Sequence, residues 1–210
     1  MNPAEMSPTQ AAASPKEMGP TNPGSAETKP TEMSPMETNP AAQHKQAAPR
    51  QVSCLVVTVS DTRTEATDKS GALIRQLLAE HGHITCGYRI VRDEEEAISA
   101  LLEEASRDPA VDAVLLSGGT GIAARDVTIE AVRKALDKEL PGFGELFRWL
   151  SFTEDIGSAA MLSRAIAGTM GRKAVFAMPG SAGAVRLAMT RLILPELGHI
   201  MRELYKDVRK

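Results

Sequence analysis

The chain has 210 residues with 24 basic and 27 acidic side chains, and its net charge is −3. No basic block is interleaved with aromatic residues, so we expect no nucleic-acid partner. No run of eighteen apolar residues occurs, so we expect no membrane-spanning segment.

The first fifty residues differ in composition from the rest of the chain. They hold nine of the thirteen prolines and contain no Phe, Tyr or Trp. Such a segment buries too little apolar surface to offset its ordering entropy, which predicts a disordered Pro/Met/Ala-rich tail over 1–50 and one domain over 51–210. The tail lacks the apolar core of a secretory signal, and its five glutamates and single arginine are atypical of a mitochondrial presequence. We therefore expect a cytoplasmic protein.

The remaining chain alternates short apolar segments with helical patterns. Strands are predicted at 52–59, 83–91 and 111–117, and each is followed by a helix, at 70–82, 93–107 and 126–136. Further along, the patterns predict an amphipathic packing helix at 142–152, two strands about a glycine turn within 163–178, and a helix at 181–194 that stops before Pro195. This alternation predicts the α/β class, as a three-layer sandwich around a mostly parallel, doubly wound sheet.

The two cysteines, Cys54 and Cys86, each lie in an apolar strand-like segment. Two buried thiols in a reducing compartment are a better interpretation of this placement than a disulfide.

Polar residues follow each of the first three predicted strands. Asp61 follows the first strand and Asp93 the second, while the third ends in Ser117-Gly118-Gly119-Thr120-Gly121, with Asp126 five residues on. Parallel sheets bind ligands at the carboxyl ends of their strands, so we expect these aspartates and the glycine loop to share one rim.

Each aspartate also has a structural alternative. Asp93 and Glu96 match a capping box for the helix at 93–107. Asp61 is typical of a residue that closes a turn, and Asp126 or Thr128 could cap the helix at 126–136. From the residues alone these alternatives stay open.

The glycine loop indicates an anion site, because its amides can approach an anion closely where they lead into a helix. It lacks the lysine of GxxxxGK[ST] and the third glycine of GxGxxG. Phosphates beside aspartates repel them unless a divalent cation lies between, which predicts a nucleotide and Mg²⁺ held at Asp61, Asp93 and Asp126. Pro179-Gly180-Ser181 is either a second anion site on this rim or only a turn.

The segment "SGGTGIAARDVTIEAV" (117–132) closely resembles the MogA/MoaB family of molybdenum cofactor biosynthesis proteins. The likeness extends through "TVSDT" (58–62), "PGFGELFRWLSF" (141–152), "MLSRAIAG" (161–168) and "FAMPGSAGA" (176–184), and so spans nearly everything after the tail.

This resemblance implies a Rossmann-like molybdopterin-binding domain that transfers AMP from Mg-ATP to the terminal phosphate of molybdopterin and releases pyrophosphate. It further implies a homotrimer or homohexamer that passes its product to a molybdenum-inserting protein. The aspartates regarded as essential in the family match Asp126 and Asp93, and Asp61 matches the aspartate after the first strand. By motif position, Ser151, Arg164 and Ser181 are expected to hold the pterin, beside the loop 117–121 and Pro179-Gly180.

Two departures keep other functions open. Arg92 stands where the adenylyltransferases often carry Pro, and the second half of the chain resembles the MoaB branch, in which some members have lost the acidic residues and are thought inactive. The retained aspartates favour an active enzyme over an inactive paralogue. The alternatives are a nucleotide pyrophosphatase like the related competence-damage-inducible domain, or a non-catalytic pterin-binding assembly protein, which only the tail supports.

Overall fold

A six-stranded sheet organises residues 51–206, the part of the chain that the computed structural model describes. The predicted tail over 1–50 therefore lies outside the described residues. The strands are β1 (Ser53–Val59), β2 (Ile84–Val91), β3 (Ala113–Ser117), β4 (Lys138–Glu139), β5 (Ile166–Met170) and β6 (Lys173–Met178). The α-helices are α1 (Lys69–Glu80), α2 (Glu95–Arg107), α3 (Thr128–Ala135), α4 (Pro141–Glu154), α5 (Ala182–Ala188) and α6 (Leu194–Tyr205). A 3₁₀-helix spans Gly157–Leu162, and a π-helix (Met189–Ile193) joins α5 to α6.

The strand order is β2-β1-β3-β6-β5-β4. Neighbouring strands are parallel from β2 through β1 and β3 to β6. The last two strands differ, because β5 is antiparallel to β6 and β4 is antiparallel to β5. The prediction of a mostly parallel α/β sheet is confirmed. The sequence pattern missed β4, because two exposed, charged residues are too few to show a strand period.

Apolar side chains pack on both faces of the sheet. Alternate strand residues, such as Val56 and Leu115, join one core cluster with α1, α4, α5 and α6. Their neighbours Val57 and Leu116 join the second cluster, which α2 and α3 cover. Burying one such side chain contributes roughly 1.5–3 kcal/mol, so both helical layers hold the sheet in place. This is the predicted three-layer arrangement.

The C-terminal helices differ from the prediction. Pro195 does not end a helix; it lies in the first turn of α6, which continues to Tyr205. A proline in the first helical turn leaves no backbone donor unsatisfied, so the same residue suits a helix start as well as a stop. The helix predicted at 181–194 is α5 and the π-helix, and α6 was missed.

The two cysteines have different environments. Cys54 in β1 is fully buried, and burial raises the pKa of its thiol. Cys86 is exposed, so the prediction that both thiols are buried is wrong for this residue. It lies in β2, an edge strand whose outward side chains no helix covers completely.

Helix α4 is apolar on two faces. Phe143, Phe147 and Leu150 are buried, as expected for a packing helix. Leu146, Trp149 and Phe152 also carry apolar side chains, yet they are 52–61% exposed. The apolar surface continues through Ile156 onto Met161 and Leu162 of the 3₁₀-helix. We call these six residues the apolar face.

None of the helices in residues 51–206 is long and apolar enough to cross a membrane.

Candidate active site

A cavity of about 480 Å³ opens where β1, β3 and β6 end, within the size range of small-molecule sites. Many of its lining residues are those predicted from the motifs: Ser117, Gly118, Gly119, Thr120, Gly121, Asp126, Arg164, Pro179 and Gly180. The other lining residues carried no predicted role: Thr58, Val59, Ser60, Thr62, Arg63, Asp68, Ser70, Leu162 and Ser163.

The glycine loop is folded back so tightly that side chains are excluded. Gly118 and Gly119 have φ values of 101° and 61°. A Cβ at position 118 would lie 2.3 Å from the carbonyl oxygen of Val59, and one at 119 would lie 2.3 Å from Oγ1 of Thr128. Glycine is needed here for both conformation and space.

This loop presents unpaired donors. Within residues 51–206, the amides of Gly119, Thr120 and Gly121 donate to no protein acceptor, while Gly118 donates to Met178. The hydroxyl of Ser117 is buried, lines the cavity and has no hydrogen-bond partner. Consecutive free amides beside a free hydroxyl form a concavity that suits an anion.

Asp93 and Asp126 flank the loop. Oδ1 of Asp93 accepts a hydrogen bond from the amide of Val127 at 3.4 Å, and Oδ2 of Asp126 accepts one from Ala123 at 2.8 Å. A Cβ at Gly119 would lie 2.6 Å from Oδ1 of Asp93, and one at Gly121 would lie 2.6 Å from Oδ2 of Asp126. Both carboxylates therefore lie directly against the loop.

The capping alternatives for these aspartates are wrong. Helix α2 begins after Glu94 and α3 after Val127, and neither has a side-chain cap. Asp93 instead points towards the neighbouring loop. Burial raises its pKa above the usual range, the hydrogen bond from Val127 opposes this, and the negative charge of Asp126 raises it further. A cation near the pair would relieve that repulsion.

Asp61 lies on the same rim but has a different partner. Its Oδ1 accepts a hydrogen bond from the amide of Asp93 at 3.3 Å, and its carboxylate forms an ion pair with Arg125. It does not close the loop turn; the hydroxyl of Ser60 does so by accepting from the amides of Thr62 and Arg63.

The structure brings the three aspartates together without forming a complete metal cage. No group of three or more His, Cys, Asp or Glu in the described part of the chain is placed to hold a metal ion. Asp93 and Asp126 fit a Mg²⁺ that takes its remaining ligands from phosphates and water, as this ion commonly does. The predicted three-aspartate ligand set would require Asp61 to leave Arg125.

Asp68 is a buried carboxylate in the cavity wall that the motifs did not indicate. It accepts hydrogen bonds from the hydroxyls of Thr58 and Tyr88, both at 2.6 Å, and from the amide of Gly71 at 3.0 Å. Burial raises its pKa, but these hydrogen bonds outweigh burial and lower it. The only sequence signal was its place before the helix at 70–82, which indicates a cap and not a cavity.

Arg164 braces the loop. Its guanidinium donates to the carbonyl oxygens of Thr120 at 3.0 Å and Asp126 at 2.8 Å, and it pairs with the carboxylate of Glu130. The hydrogen bond that Arg164 donates to Glu130 lowers the pKa of that carboxyl group. One side chain thus ties both ends of the segment 120–126. Arg164 also lines the cavity, and its contact with the pterin stays a prediction.

The other two residues predicted to hold the pterin do not line the cavity. Ser151 is buried in α4. Ser181 caps α5 by accepting from the amide of Ala184 at 3.2 Å, while its neighbours Pro179 and Gly180 line the cavity. The segment 179–181 is therefore a turn that contributes part of the cavity wall.

Comparisons with known proteins agree with this architecture. The family model described as "Probable molybdopterin binding domain" matches residues 55–199. Molybdenum cofactor biosynthesis protein B of Halalkalibacterium halodurans is 62% identical over 165 residues, covering 79% of this chain and 97% of that protein. The protein of the same name from Bacillus subtilis is 59% identical over 165 residues, with 79% and 97% coverage.

A solved structure matches at the level of the fold. The crystal structure of the tungsten cofactor synthesizing protein MoaB from Pyrococcus furiosus has a TM-score of 0.65 and 40% sequence identity. The match covers 75% of this chain and 99% of that one. Identity of this extent, together with the match of the family model, shows that the chain belongs to the MoaB/MogA family of molybdenum cofactor biosynthesis proteins.

Proposed function

We propose that the protein is a molybdopterin adenylyltransferase that acts in molybdenum cofactor biosynthesis. The observation that supports this most directly is the row of unpaired amides at Gly119, Thr120 and Gly121, which faces a cavity beside Asp126. An anion-binding loop flanked by carboxylates suits a phosphate ligand that arrives with a divalent cation.

In this reaction a terminal phosphate oxygen of molybdopterin attacks the α-phosphorus of ATP. The bond to the β-phosphate bridging oxygen breaks, and pyrophosphate leaves with the bonding electrons. The loop amides and the Ser117 hydroxyl donate hydrogen bonds to phosphate oxygens. Arg164 holds the loop and Asp126 in fixed positions relative to each other. Asp93 and Asp126 would hold Mg²⁺, and the ion would supply positive charge that offsets the charge of the phosphates.

The Asp126→Asn protein tests this function. Removing the charge of Asp126 while keeping its shape is expected to lower the rate of AMP transfer about 100-fold. The measurement is pyrophosphate release from ATP with and without molybdopterin and Mg²⁺, alongside molybdopterin binding, which should persist.

Asp137→Asn is the matched control. Like Asp126, Asp137 is an aspartate that accepts a backbone hydrogen bond, in its case from Gly171, but it is exposed and lies at the opposite end of the sheet. The Asp137→Asn protein should release pyrophosphate as fast as the unmodified protein. Full activity in the Asp126 variant would remove the proposed role. If the unmodified protein binds molybdopterin without releasing pyrophosphate, a non-catalytic carrier is favoured. If the unmodified protein hydrolyses ADP-ribose without pterin, a nucleotide pyrophosphatase is favoured.

We also propose that the protein assembles as a homotrimer or homohexamer and passes its product to a molybdenum-inserting protein. The support for self-assembly is the apolar face on α4 and the 3₁₀-helix. Soluble monomers rarely expose so many large apolar side chains together. Leu162 belongs both to this face and to the cavity wall, so a second copy would border the site.

A further inference from the structure

The charge around the cavity is unbalanced for a phosphate ligand. Asp68 and Asp126 line the cavity, and Asp93 lies against the same loop. A polyphosphate adds further negative charge. Among the lining residues only Arg63 and Arg164 are basic.

Arg164 has little left to offer a ligand. Its Nε donates to Thr120, and its terminal nitrogens donate to Asp126 and Glu130. Its charge is also balanced by the carboxylate of Glu130. The ligand must therefore find its main protein cation elsewhere.

Arg63 has the opposite character. It lies in the exposed loop between β1 and α1 and makes no ion pair within residues 51–206. Its single side-chain hydrogen bond, from Nη1 to the carbonyl oxygen of Thr67 at 2.9 Å, leaves Nε and Nη2 available.

The loop holds Arg63 in position. The Ser60 hydroxyl accepts from the amide of Arg63 at 3.2 Å, and the following turn is closed by the Thr67 amide donating to Thr64 at 3.0 Å. This loop ends at Asp68, the buried N-cap of α1, which fixes the loop to the cavity wall. The position of the Arg63 guanidinium is therefore fixed as well. A planar guanidinium with free donors suits phosphate oxygens.

We propose that Arg63 is the cation that binds the pyrophosphate group at the mouth of the cavity. This rests on the proposed function, in which the cavity takes ATP and releases pyrophosphate. The exposed position of Arg63 matches the part of the nucleotide that must depart into solvent. It contributes charge that the glycine loop lacks, in the role that a lysine has in many phosphate loops.

Binding of inorganic pyrophosphate to the full chain, measured by calorimetry in the presence of Mg²⁺, tests this assignment. The Arg63→Ala protein is expected to bind pyrophosphate about tenfold or more weakly, since hydrogen bonds to charged groups are among the strong ones. Arg63→Lys, which keeps the charge but loses the planar fork, should be intermediate. The affinity of the alanine variant should also depend less steeply on salt.

Arg107→Ala is the matched control, because Arg107 is an exposed arginine at the far end of α2, away from the cavity. Pyrophosphate affinity should be unchanged in this variant, and the thermal unfolding midpoints of all variants are compared to exclude misfolding. The assignment is overturned if unmodified protein binds no pyrophosphate, if Arg63→Ala binds it normally, or if Arg107→Ala loses as much. Pyrophosphate binding that depends on Arg63 in a protein without AMP transfer would refute the proposed function alone.

Discussion

Asp93, a residue of the candidate site, lowers the stability of the fold when it is ionised. Burial and the nearby charge of Asp126 raise its pKa, so the folded state holds the proton of Asp93 more tightly than the unfolded state does. Ionising Asp93 therefore lowers the free energy of unfolding. This loss develops as the pH rises from the ordinary value of 3.8 through the raised value, and it is fully present at neutral pH.

We expect Asp93→Asn to raise the thermal midpoint at neutral pH while lowering AMP transfer about 100-fold. Asparagine keeps an oxygen acceptor for Val127 and removes the charge. The measurement is thermal unfolding from pH 3 to pH 8, a range that includes the titration of this carboxyl group. The gain should vanish at the acid end, and a variant less stable than the unmodified protein at neutral pH would contradict this account.

Prediction from sequence worked for some site residues and not for others. Asp93, Asp126 and the glycine loop follow strands, so their position on one rim could be expected. Arg63 and Asp68 lie in a polar loop whose sequence indicates only a turn and a helix cap. Arg164 was assigned to the ligand because its motif position was visible, whereas its hydrogen bonds to Thr120 and Asp126 join segments that are distant in sequence.

At the scale of the elements, the turn from β3 into the loop has no room for a side chain at Gly118. Gly118→Ala is expected to lower the free energy of unfolding by about 2 kcal/mol or more, because its positive φ is combined with a clash against the carbonyl of Val59. Gly82→Ala is the control: its φ is 77°, but a Cβ there meets nothing within 4 Å.

The Gly82 variant should lose only about 1 kcal/mol, the conformational part of the effect. Urea unfolding of both variants separates strain from steric exclusion. If both variants lose the same free energy of unfolding, the close approach to Val59 does not contribute to the loss.

Element types followed from local patterns, while several boundaries did not. The first three strands and their helices were evident because buried parallel strands and amphipathic helices have different apolar periods. The strand β4 and the helix α6 were missed. The strand β4 is too short to show a period. Helix α6 has Pro195 in its first turn, and a proline in a sequence can mark either the end or the start of a helix.

At the scale of the whole molecule, the apolar face is the feature that the isolated chain leaves unexplained. Trp149→Glu is expected to weaken self-association about tenfold or more, because it places a charge in a surface that would be dehydrated on assembly. Sedimentation velocity over a range of protein concentrations measures this.

Ile84→Glu provides the control, since Ile84 is a partly exposed apolar residue on the edge strand β2, outside the apolar face. It should leave the association state unchanged. A Trp149 variant that sediments like the unmodified protein would exclude this face as the contact between copies.

The sequence by itself determined the class of fold, the layering and the rim on which the candidate site lies. These depend on local periodicity and on the rule that parallel strands end at a common edge. The family resemblance was carried by contiguous motifs, which need no structure to be seen.

Only the tertiary structure decided which polar groups remain free. It showed that Arg125 pairs with Asp61 and that Arg164 donates to carbonyl groups of the loop. It also showed that the amides from Gly119 to Gly121 have no acceptor among the residues that the structure describes. Pairings of this kind join residues far apart in the chain, and the strength of each depends on distance and burial. Such quantities exist only after the chain has folded.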